Sequence, residues 1–171
     1  MIQGGISTGK TTTDNCDVIT KVDNPNSLYC HVETPFLTQV KALATYTIPR
    51  VEVQVAGTFQ SLPGPEVVAN FNVPTAVAAQ TLGRPLSGGA ANVTVNLIEP
   101  GSVYGDRHNQ FDLRFGKVLR AGTTKTALNV DLYNAFNANP VTAENPNYAA
   151  FRRPTAILPA RFLKFAVQFD F

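Results

Sequence analysis

Apolar and polar residues alternate along much of this chain with the period of a two-faced β-strand rather than of a helix. In residues 161–171, Leu163, Phe165, Val167, Phe169 and Phe171 fall on one face, and Lys164, Ala166, Gln168 and Asp170 on the other. Residues 124–134 set Thr126, Leu128, Val130 and Leu132 against Lys125, Asn129, Asp131 and Tyr133. Within 108–119, Phe111, Leu113 and Phe115 oppose Gln110, Asp112 and Arg114. Within 50–60, Val51, Val53, Val55, Gly57 and Phe59 oppose Glu52, Gln54, Thr58 and Gln60. A strand over 35–47 is less regular: Phe36, Val40, Ala42, Ala44, Tyr46 and the following Ile48 share a face, but Leu37 and Leu43 break the alternation. Residues 1–6 read as the stub of one more strand.

Proline removes a ladder donor, so it belongs at strand ends and in loops. The twelve prolines obey that rule under these boundaries: Pro35 opens a strand, Pro49 sits in a turn and Pro159 precedes the last run. Connection lengths then suggest a topology. Ile48-Pro49-Arg50 and Arg120-Ala121-Gly122-Thr123 are tight turns, whereas 7–34, 61–107 and 135–160 are long and rich in Asn, Pro and Gly. Short turns alternating with long loops are the habit of outer-membrane barrels, with turns on the periplasmic side and loops outside. Walking back from a periplasmic C-terminus, each short turn lands in the periplasm and each long loop outside. That parity requires 61–107 to be one large loop, with the strand-like run 92–98 as a hairpin arm inside it.

The expected fold is therefore all-β, an antiparallel transmembrane β-barrel fragment of about five to six strands with short periplasmic turns and long extracellular loops. The alternative is a soluble or surface β-sandwich acting as a binding or adhesion module, although such long loops are uncommon in a small sandwich. Composition narrows the classes further. Charged residues make up 15% of the chain and the net charge is +2, with no basic stripe of the kind nucleic acid requires. No run approaches the ~18 apolar residues of a membrane-spanning helix. The first residues lack the order of a secretory signal peptide, so an exported protein of this sequence is expected to be a piece of a longer one.

Few chemical motifs stand out. Gly4-Gly5-Ile6-Ser7-Thr8-Gly9-Lys10-Thr11 matches the phosphate-loop pattern G-x-x-x-x-G-K-T. That chemistry needs a buried strand before the loop and a helix after it. The following Thr-Thr-Asp-Asn-Cys-Asp is poor helix material, and the match reads as a loop. Cys16 and Cys30 enclose a short polar segment, a spacing that suits a disulfide in an oxidising compartment or else two separate thiols. Cys16, Cys30 and His31 fall short of a four-ligand zinc set, and Asp14, Asn15 and Asp17 lack the spacing of a calcium loop. Lys41, Glu52, Asp112, Arg114, Lys125, Asp131, Lys164 and Asp170 read as a polar wall with cross-strand charge pairs. No nucleophile lies beside a base, so no enzyme, cofactor or metal is expected.

The stretch Gly105-Asp106-Arg107-His108-Asn109-Gln110-Phe111-Asp112-Leu113-Arg114 resembles a late barrel strand of TonB-dependent outer-membrane receptors. Val130-Asp131-Leu132-Tyr133-Asn134-Ala135-Phe136-Asn137 is similar to their penultimate strand, and Phe165-Ala166-Val167-Gln168-Phe169-Asp170-Phe171 to their closing strand. Upstream, Thr34-Pro-Phe-Leu-Thr-Gln-Val-Lys and Gly57-Thr-Phe-Gln-Ser-Leu-Pro-Gly-Pro resemble the large Oar-like branch. The resemblance implies that residues 1–171 are the C-terminal part of a receptor barrel, with the plug domain and earlier strands outside this sequence. It implies active uptake of an unidentified ligand across the bacterial outer membrane, with the TonB complex engaged only through the plug. It also implies that Phe165, Val167, Phe169 and Phe171 form the signal read by the barrel-assembly machinery, with outer-membrane lipid around the strands.

Overall fold

The computed structural model describes residues 1–19, 21 and 28–170. Twelve strands are present among them: β1 (Ile2–Gly9), β2 (Thr12–Asp14), β3 (His31–Glu33), β4 (Leu37–Ile48), β5 (Val53–Leu62), β6 (Asn70–Pro74), β7 (Asn92–Asn96), β8 (His108–Ala121), β9 (Thr124–Tyr133), β10 (Val141–Glu144), β11 (Pro154–Ile157) and β12 (Phe162–Asp170). Helices are short: α1 (Cys16–Ile19) and α2 (Thr75–Leu82), with single 3-10 turns at Ser87–Gly89 and Tyr148–Ala150. No helix among the described residues is long and apolar enough to cross a membrane.

Six strands form one sheet in the order β1-β4-β5-β8-β9-β12, every neighbour antiparallel. Sheet order follows chain order, so this is a meander whose long connections leave from one end. Each alternating run of the sequence becomes one of these strands, with adjusted ends. β5 starts at Val53 rather than at residue 50, because Arg50 and Glu52 take positive φ (71° and 51°) in the turn and remove Val51 from the strand. β9 stops at Tyr133 because Asn134 adopts φ 49°. β8 reaches Ala121, leaving a two-residue hairpin loop in which Gly122, at φ 61°, takes the left-handed first position such loops demand.

Register aligns the faces. Ile2, Ala44, Gly57, Leu113, Leu132 and Leu163 stand opposite one another across the whole sheet. Tyr46, Val55, Phe115, Val130 and Phe165 form a second such row. On the reverse face, Thr45, Ala56, Arg114, Asp131 and Lys164 are in line. One face is thus apolar and the other polar over the full width. Gly57 lies under the Phe111 ring, whose atoms would come 3.3 Å from a Cβ there, so the aromatic covers the gap the glycine leaves.

The long connections are not featureless. Each contains its own two-stranded antiparallel sheet: β2-β3, β6-β7 and β10-β11. The arm expected at 92–98 is β7, paired with β6 and separate from the large sheet. Among the described residues the buried apolar side chains, Val67, Ala69 and Leu86, all belong to the connection between β5 and β8. The large sheet therefore has no core of its own: Ile6, Phe165 and Phe169 are 74%, 73% and 63% exposed. β1 and β12 pair on one side only and not with each other, so the six strands do not close into a barrel.

Candidate functional site

The polar face is a built hydrogen-bonding wall. Arg114 and Asp131 are cross-strand partners, and the guanidinium donates twice to the carboxylate, Nε to Oδ1 at 2.5 Å and Nη2 to Oδ2 at 2.9 Å. The Asp131 side chain is nearly covered while Arg114 stays half in solvent. Two parallel charge-assisted bonds fix both side chains in one geometry, which a single contact would not do. Beside them, Gln60 Nε2 donates to Gln110 Oε1 at 2.9 Å, and Gln110 Nε2 donates to both oxygens of Asp112 at 2.9 and 3.0 Å. Asp112 also accepts the backbone N–H of Asn134 at 2.8 Å. Ala56 and Thr58 are small, and between Leu43 on one side and Arg114 and Tyr133 on the other they leave an open recess of about 260 Å³. Of the charged residues expected on this wall, Arg114 and Asp131 hold each other and Glu52 holds Arg120, while Asp112 is held by Gln110 and the Asn134 N–H.

The second and third long loops meet at the end of the sheet away from the short turns. Residues 64–67 run beside 103–106: Gly105 N–H donates to Pro65 O at 2.8 Å and Val67 N–H to Val103 O at 2.9 Å. The third loop docks there, Asn70 N–H donating to Pro146 O at 2.7 Å, with Phe71 and Tyr148 packed edge to face at 5.6 Å. His108 Nε2 sits 2.7 Å from Val141 O. Arg107 ties strand ends together, donating to Ser61 Oγ at 2.7 Å and also to the carbonyl of Thr38. Asn134 is buried and fully engaged. Its Nδ2 donates to Ala138 O and Pro159 O, both at 2.8 Å, and its Oδ1 accepts from Ala138 N–H at 2.8 Å. Arg107 immediately precedes β8 and Asn134 immediately follows β9, but pattern alone gave neither a role. Asn after an aromatic at a strand end, where left-handed backbone is tolerated, was the available signal.

The first loop is a stapled hairpin. Cys16 and Cys30 are joined by a disulfide with Cα atoms 4.7 Å apart, closing the end of the β2-β3 ladder. Asp14 Oδ2 lies 3.1 Å from His31 Nδ1, and that hydrogen bond, helped by the Cys16 N–H, holds its carboxyl below the ordinary value. Glu33 is lowered in the same sense by its hydrogen bond with Lys10. With both sulfurs in the disulfide neither can bind zinc, and no group of three metal-ligating side chains occurs among the described residues. The phosphate-loop match is a strand: Gly4–Gly9 are paired residue by residue within β1, and no helix follows before Cys16. Its alternate N–H groups bond to β4 and the others point away from the edge, so the extended backbone does not converge on an anion.

Phe165, Val167 and Phe169 share the apolar face of β12, paired with Val130, Leu128 and Thr126. All three are more than half exposed, and among the described residues no strand pairs with the outer edge of β12. Phe171 lies outside the described residues. Comparison of the chain with protein-family models, curated proteins and solved structures finds no match in any of the three.

Proposed function

We propose that the chain forms part of the wall of a TonB-dependent outer-membrane receptor, working in active uptake of a ligand and carrying out no catalysis itself. The observation that carries this reading is the apolar face of the six-stranded sheet, continuous across all six strands and uncovered. In water such a face is expelled from solvent, and in lipid it is the required surface. A β-sandwich would bury it under a second sheet, but the other sheets among the described residues are two-stranded and sit in the loops. Three stretches that resemble receptor strands fall on β8, β9 and β12, which are neighbours in the sheet.

On this reading outer-membrane lipid surrounds the apolar face and the polar face turns to the lumen. The long loops meet the imported ligand outside. Because β1 and β12 do not pair, closure takes strands beyond these six. The barrel-assembly machinery reads the aromatic face of β12, and the TonB complex acts through a plug. The test is electrophoretic migration with and without heating, together with detergent dependence of the assembled protein. Heat-modifiable migration from a membrane fraction is expected. A monomer that stays soluble without detergent would sink the proposal.

A further inference from the structure

On the apolar face of the large sheet, polar residues stand at the strand ends. Thr8, Thr38, Ser61 and Asn109 lie toward the loops, and Thr124 and Thr126 toward the short turns. Among the described residues of this face a single one is charged, Lys117. Register sets it between Val53 and Leu128, in a row that continues to Ile48 and Val167. Phe115 and Leu119 flank it along β8, and both are exposed. The neighbouring cations of the polar face have carboxylates: Arg114 has Asp131, and Arg120 has Glu52 at 3.2 Å. Lys117 has apolar neighbours on both adjoining strands, so a counter-charge must come from outside the sheet.

Position supplies one. β8 ends at Ala121, about 13 Å further along the strand and closer in depth because barrel strands tilt. A lysine there lays its aliphatic stem on apolar neighbours and carries the ammonium to the interface. We propose that Lys117 binds the phosphate of an acidic phospholipid in the leaflet at the short-turn end, donating N–H bonds to its oxygens. This rests on the membrane reading above.

The test uses the chain assembled in its membrane, extracted, and reconstituted in bilayers of phosphatidylcholine alone or mixed equally with phosphatidylglycerol. Wild type should melt at a higher temperature in the mixed bilayer, with the difference shrinking in high salt. Lys117→Gln should lose that lipid-dependent shift, Lys117→Arg should keep it, and Lys125→Gln, on the opposite face, should keep it too. If Lys117→Gln or Lys117→Leu keeps the higher melting temperature in the mixed bilayer, the lipid site is overturned while the barrel reading stands. If the protein enters neither bilayer, both readings fall.

Discussion

Arg114 and Asp131 face each other across β8 and β9 and are joined by two parallel hydrogen bonds, with the carboxylate covered and the guanidinium half exposed. The two sides of the pair are therefore unequal. Removing the cation leaves a covered carboxylate without its two hydrogen bonds and with only Lys164, opposite on β12, as a counter-charge, whereas removing the acid leaves an arginine that turns to solvent. Arg114→Met should destabilise by about 3 kcal/mol and Asp131→Asn by about 1 kcal/mol. Urea unfolding of the assembled protein in micelles checks the order, and equal losses would refute the asymmetry.

Adjacent positions on β12 test the two faces. Val167 shares a row with Leu128 and Lys117, while Gln168 lies opposite Ala127 on the polar face. Val167→Asp should reduce assembly by about 1–3 kcal/mol equivalent, and Gln168→Asp should do little. The yield of heat-modifiable protein measures both, and equal effects would contradict the orientation.

Asn134 combines a left-handed backbone with three side-chain hydrogen bonds in a buried position. Gly at this site keeps the backbone and loses the bonds, while Ala loses both. Asn134→Gly should cost about 2 kcal/mol and Asn134→Ala roughly 1 kcal/mol more. Hydrogen exchange should localise the loss to residues 134–138 rather than to the turn end of β9.

Acid should loosen the stapled hairpin. Asp14 and Glu33 have folded-state carboxyls held below their ordinary values by His31 and Lys10. The pairing is therefore fully present above the unfolded carboxylate range, and it is lost as pH falls through the depressed folded values. Amide protection in β2 and β3 should fall below about pH 4 with the disulfide intact. Asp14→Asn should weaken that dependence, and protection unchanged in acid would refute the contribution.

The strands of the large sheet were legible because their side chains meet two different surroundings. Alternation in β8, β9 and β12 marks each face without knowledge of the neighbours. What alternation leaves open is register. Whether Phe115 stands beside Val55 and Val130 or beside their polar neighbours depends on turn geometry, and a one-residue slip would exchange the faces. Val51 shows the difficulty locally, since it keeps the alternation yet lies between two residues with positive φ. The hairpins β2-β3 and β10-β11 escape pattern reading because strands of three or four residues are too short to display a period. The networks around Arg107 and Asn134 depend on contacts between residues dozens of positions apart, which one chain read alone does not reveal.

The close approach at Gly64 has a consequence for how the chain tolerates change. A Cβ there would lie 2.3 Å from the Gly105 carbonyl oxygen, so the limbs leaving β5 and entering β8 meet at a waist that only glycine permits. Beyond that waist the segment is a side branch whose two ends are already together. Lengthening, shortening or replacing it between α2 and β7 adds little closure entropy to the pairing of β5 with β8. The pairing of the wall and the length of the branch are thus set separately, with the buried Leu86 the point at which the branch itself is held.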